Sequence, residues 1–167
     1  MGIMANYMMI DDETLDIMTE LDSDDLLDKI DELEELKISE LYCMDKLWDG
    51  LHFLLTGASA SKPIKGNHLS EAIIGVHVFD TYEDYFVGCA EFSELPDIIA
   101  ALKDVNTEKL KEKFKLSRFR IAKIYPDIWE RAQKEKLWRE LLGEFNGILE
   151  FYQRAEQMKM HVIVSIF

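Results

Sequence analysis

The sequence predicts an α/β fold. It reads as one helix-rich domain over residues 1–167, with a small mixed sheet of about three or four strands between helices, layered α/β/α. Three observations predict it. Strand-like segments stand at the start (ANYMMI), in the middle (YFVGCAEF) and at the close (HVIVSIF), with helical runs between them. The closing segment is apolar on both alternations, the pattern of a central strand covered on both faces. Ahead of it, Leu137, Trp138, Leu141, Leu142, Phe145, Ile148, Leu149 and Tyr152 hold the period of a long helix.

Taken in order, residues 5–10 form the first strand. Asp11 or Asp12 then caps a short helix that runs through Leu21. Ser23 opens a second helix to about Leu36, with Leu26, Leu27, Ile30 and Leu33 as its apolar stripe. Asp24 and Asp25 fall in its first turn, where the helix dipole favours them. Residues 45–55 make the next helix, stopped by Gly57. ASASKPIKGN is a polar loop bearing Pro and Gly. Ser70 caps the helical turn EAIIGV, and residues 85–92 form the middle strand. Ser93 caps SELPDIIAALKDV, with Pro96 tolerated in the first turn, and Asn106 caps NTEKLKEKF. KLSRFRIAKIYPD gives a short helix and then an extended Ile124–Tyr125. One long helix, or two end to end, spans Ile128 to Lys159. Gly143 and Gly147 inside it mark close packing, at roughly 1 kcal/mol each relative to Ala.

At 167 residues and 48% hydrophobic content, folding buries roughly 70% of the surface that the unfolded chain exposes. One core is therefore sufficient, and no Pro/Gly/Ser-rich linker divides it. Cys43 and Cys89 form no C-x-x-C pair and read as small hydrophobes in a reducing cytoplasm. The opening residues lack the basic and long apolar regions of a signal peptide. No apolar run approaches the roughly 20 residues that span a bilayer.

The net charge of −14 is unevenly placed. Residues 1–50 hold 16 acids against 3 lysines, a net −13; residues 51–167 hold 17 acids against 16 bases, a net −1. An acidic surface repels phosphates, which argues against nucleic acid, and it steers a basic partner. The run KLKEKFKLSRFRIAK, with seven bases and one acid, reads as a solvated face or as an internal partner of the acidic helices.

The chemistry-bearing stretch is WDGLHFLLTG, residues 48–57. On a helix, Asp45, Asp49, His52 and Thr56 make one polar stripe, with Trp48 at its border. An aspartate can orient a histidine, and a histidine moves protons near neutral pH. Asp49 and His52 are thus the catalytic candidates, with Thr56 and Ser59 as polar contacts and Trp48 as an apolar wall. A surface pair, or a packed histidine bonded to a carbonyl, is the competing reading of the same residues. Nucleophile-elbow, Walker, dinucleotide and H-E-x-x-H motifs are absent. The four histidines are scattered, so neither a metal nor a cofactor is expected.

MGIMANYMMID, LWDGLHFLLTGAS, HLSEAIIGVH, FRIAKIYP and the long helix ending in HVIVSIF, in this order, resemble the YfbM-like family. Trp48 to Gly57, as W-D-x-L-H-x-x-L-T-G, is the most specific part. The resemblance covers nearly the whole chain. It implies a compact bacterial, cytoplasmic α/β domain of unknown function, and it brings no activity, cofactor or catalytic residue.

The expected function is a non-enzymatic protein-binding module. Its acidic face, through Asp24, Asp25, Asp28, Asp31 and Glu32, would hold a basic protein partner, as an immunity or antidote protein holds a toxin. The alternative is a small-molecule or hydrolytic site around Trp48, Asp49 and His52. Neither a nucleic-acid nor a membrane partner is expected, and the chain reads as a monomer or weak homodimer. A dimer would pair through the long helix near Met158 and Met160.

Overall fold

A computed structural model describes residues 2–36, 41–81 and 85–167. Strand β1 (Ala5–Ile10) leads into helices α1 (Asp12–Thr19) and α2 (Ser23–Leu36). Strand β2 (Leu41–Asp45) precedes α3 (Trp48–Thr56) and α4 (His68–Ile74). Strands β3 (His77–Thr81) and β4 (Phe86–Ala90) follow. Helices α5 (Leu95–Asp104), α6 (Thr107–Lys113), α7 (Leu116–Ile121) and α8 (Lys134–Gln157) then lead to β5 (His161–Ile166).

The described strands form one sheet in the order β2-β1-β5-β4-β3. Every pairing is antiparallel, so the expectation of a mixed sheet is corrected. Five strands replace the expected three or four. The two additions are the edges, LYCMD and HVFDT, five residues each, with Met44 as their one buried residue. Neither segment alternates apolar and polar residues over its five positions, which is why the sequence pattern misses them. Helices between strands often serve as parallel crossovers. Here α1 and α2 lie between β1 and β2, which pair antiparallel as neighbours.

The α/β/α layering is present. Tyr7 and Met9 of β1 and Val162, Val164 and Ile166 of β5 belong to the larger core, with α3 to α8. Met8, Ile10, Ile163, Val87 and Cys89 point the other way, onto Met18 of α1 and Leu26, Ile30 and Leu33 of α2. All six residues of β5 are buried, as its two-sided apolar pattern predicts.

Several boundaries move for local reasons. Helix α3 starts at Trp48 rather than residue 45, because Asp45 ends β2 with a positive φ of 53°. Asn67, not Ser70, caps α4; its side chain accepts the N–H groups of Leu69 and Ser70. The middle strand ends at Ala90. Ser93 lies inside a single 3₁₀ turn, Phe92–Glu94, whose capping box joins Glu91 and Glu94. Helix α8 begins at Lys134 after another such turn, and Trp129 before it sends its indole N–H to Ile124 O at 2.8 Å. Gly147 is the close-packing glycine, since a Cβ there would overlap the Tyr42 ring. Gly143 meets nothing within 4 Å.

Among the described residues no helix is long and apolar enough to cross a membrane.

Candidate functional site

Leu51 and Leu54 bury one side of α3 in the core, and Gly57 ends the helix in the left-handed region at φ 79°. Asp49, His52 and Thr56 share another side, as the helical spacing predicts. Asp45, expected to extend that stripe, belongs to β2. The stripe faces the loop that leaves the helix, not open solvent.

His52 is fully buried. Its Nδ1–H donates to the Ala58 carbonyl at 2.7 Å, which leaves Nε2 as an acceptor for the Ser70 hydroxyl at 2.7 Å. Ser70 Oγ in turn accepts the Ile64 N–H at 3.0 Å. Burial pushes the imidazole below its ordinary pKa. The Ala58 carbonyl and the Asp49 charge oppose that shift without cancelling it. Thr56 Oγ1 donates to His52 O at 2.8 Å and accepts the Ala58 N–H at 3.1 Å.

Asp49, 4% exposed, works on different groups. Its Oδ1 accepts from the Ser59 hydroxyl at 2.9 Å and the Ala60 N–H at 2.7 Å. Its Oδ2 accepts the Tyr125 N–H at 2.9 Å. These bonds do not join Asp49 to His52. Each fastens its own stretch of chain to α3, so this arrangement positions loops and does not assemble an acid/base couple.

Trp48 is placed differently. Its indole N–H donates to Ile3 O at 3.1 Å, and its ring lies 5.7 Å from that of Tyr125. The same indole walls a cleft of about 450 Å³ at one end of the sheet, with Ala60, Ser61 and Pro63 beside it. The floor is Thr81, Phe86 and Ile166, one cross-strand row of β3, β4 and β5, with Val78 at the open edge. No sequence signal marked these floor residues, because only strand register brings them together.

A second polar locus escaped the sequence reading. The Tyr42 hydroxyl donates to the Glu144 carboxylate, across 102 residues of chain. Burial raises the Glu144 pKa, with Asp45 and Glu140 adding to the rise and the Tyr42 bond opposing it.

The acidic candidates Asp24, Asp25, Asp28, Asp31 and Glu32 are all exposed on α2, which covers one face of the sheet. Lys29, the lysine of that helix, pairs with Glu32 at 3.0 Å. The basic run does not neutralise this layer. Its buried members Leu110, Phe114, Leu116 and Phe119 lie in the core on the opposite side of the sheet.

Comparison with known proteins agrees with this fold. Protein YfbM of Escherichia coli (strain K12) is 30% identical over 168 residues, which is 99% of each chain. The crystal structure of YfbM from Escherichia coli, described as a protein of unknown function, superposes with a TM-score of 0.80. That match has 26% identity and covers 98% of this chain and 99% of the other. A family model, "Domain of unknown function (DUF1877)", matches residues 1–165, and the chain belongs to that family.

Proposed function

We propose that the protein is a binding module, not a catalyst, and that its α1–α2 layer docks a basic protein partner. One observation carries this reading: Asp24, Asp25, Asp28, Asp31 and Glu32 of α2 are exposed while the chain's own basic run lies on the other side of the sheet. A field of one sign across a whole layer raises the encounter rate with a partner of the opposite sign. Ile17 of α1, 45% exposed, supplies an apolar contact on the same layer. An immunity or antidote protein that masks a basic toxin surface is one instance of such a module. The polar groups once available for chemistry support the same choice, since the hydrogen bonds of Asp49 and His52 hold loops in place.

The test is affinity capture from the native host. The wild-type chain is compared with a variant carrying Asp24→Asn, Asp25→Asn, Asp28→Asn, Asp31→Asn and Glu32→Gln. A basic protein held by the wild type at about 50 mM salt should be lost at about 500 mM, where the screening length falls to a few ångströms. The neutralised variant should not hold it at either salt. Equal retention by the variant would exclude the acidic layer as the docking surface.

A further inference from the structure

We propose that the cleft beside Trp48 is a binding site for a small amphipathic anion: a flat apolar body in the cleft and an anionic head at the Lys62/Lys65 rim. The cleft's size suits it, since small-ligand sites span roughly 300–1,000 Å³ and this one measures about 450 Å³. Its lining is apolar. Trp48 and Phe86 offer ring faces, Ile166 and Pro63 offer aliphatic surface, and no described lining residue carries a charge. The buried part of a ligand here must therefore be uncharged.

The apolar surface is open, not filled by the fold. Val78 is 57% exposed and Ile3 41%, and both line the cleft. Such a contiguous apolar opening at the edge of a sheet marks a contact site.

The rim gives the sign of the head group. Ser61 and Pro63 belong to the loop after α3, where Lys62 and Lys65 are both exposed. Neither lysine makes an ion pair among the described residues. Between Asp49 and Glu71 the sequence has no carboxylate at all, in a chain of net charge −14. This loop is a locally positive stretch of an acidic protein, and its Ser61 and Pro63 line the apolar opening. Ser61 contributes a hydroxyl whose proton is directed to Ser59 Oγ at 3.0 Å, because Ser59 donates its own to Asp49. The lone pairs of Ser61 thus remain available to a ligand donor.

A second copy of this chain is a poorer occupant, because two molecules of charge −14 repel at long range.

Two dyes test the proposal on the intact protein. 1-Anilinonaphthalene-8-sulfonate has the apolar rings and a sulfonate; N-phenyl-1-naphthylamine has the same rings and no charge. The sulfonate dye should saturate at one site per chain and bind about fivefold tighter than the neutral one, the scale of exposed charge contacts. Lys62→Gln with Lys65→Gln should remove that preference and leave the neutral dye unchanged. Thr81→Trp, at an exposed strand position, should fill the cleft and weaken both dyes by about tenfold or more. Ser61→Trp is the second filling variant should the first fail to fold. Lys113→Gln with Arg118→Gln, in a separate cleft of about 230 Å³, should change nothing. Absence of saturable binding would overturn the proposal. So would binding that survives cleft filling in a folded variant, or a sulfonate preference that follows Lys113 and Arg118. A concentration-dependent dimer from which the dyes are excluded would assign the cleft to a second copy and overturn it equally.

Discussion

Asp49 and Tyr125 are 76 residues apart in sequence, yet the carboxylate of one accepts the backbone N–H of the other at 2.9 Å. The same carboxylate holds Ser59 and Ala60, so a single buried charge ties α3 to two loops. Asp49→Ala leaves three donors without their acceptor. It should lower stability by about 3 kcal/mol, the scale of hydrogen bonds to a buried charge. Urea unfolding of the variant checks this, and a loss near zero would mean that water replaces the carboxylate.

His52 should be neutral and protonated on Nδ1 at pH 7, because Ala58 O can only accept. Nitrogen NMR of the imidazole reads the tautomer directly. Its depressed pKa also fixes a sign. Below about pH 6.5 the unfolded chain protonates this histidine more readily than the folded one. The His52 contribution is therefore complete above that pH and is lost as pH falls below it. His52→Asn, which retains a donor, should flatten the change in stability between about pH 7.5 and pH 5.5 relative to wild type.

Glu144 has the opposite sign. Its raised pKa means that the folded state holds the proton more tightly. Its contribution is favourable at low pH and is lost as pH rises past the ordinary carboxyl value of about 4.3. Glu144→Gln keeps an acceptor for Tyr42 without the charge. At pH 7 it should stabilise the protein by about 0.5 kcal/mol, a modest figure because the site is half-solvated. A clear loss of stability would show that Tyr42 needs the carboxylate.

The two glycines of α8 should respond in opposite directions. Gly143→Ala meets open space and should gain about 0.5–1 kcal/mol from helix propensity. Gly147→Ala drives a Cβ into the Tyr42 ring and should destabilise despite the same propensity gain. Thermal unfolding of the pair separates packing from propensity within one helix.

The sequence makes legible whatever depends on local repetition. The stripe on α2, the period of α8 and the two-sided burial of β5 follow from residues within a few turns of one another. The side of α3 that carries Asp49, His52 and Thr56 is likewise a matter of spacing. What those side chains touch is not, because Ser70 lies 18 residues from His52, and Tyr125 lies 76 from Asp49. The edge strands were hidden for a related reason. HVFDT earns its place by pairing with β4, and half of it faces water, so no apolar alternation announces it. Five exposed acids were readable as such, since they lie off the apolar stripe of α2; Glu34 of the same run, which accepts from Asn6 and Ser165, was not.

The position of β5 has a consequence for biosynthesis. This strand comes last in element order and lies in the middle of the sheet, between β1 and β4. Until it leaves the ribosome, β1–β2 and β3–β4 are two separate ribbons with nothing between them, each showing unpaired backbone to the cell. A ribosome that pauses before His161 therefore holds a chain whose two sheet halves cannot yet join, and their facing edges stay open until β5 arrives.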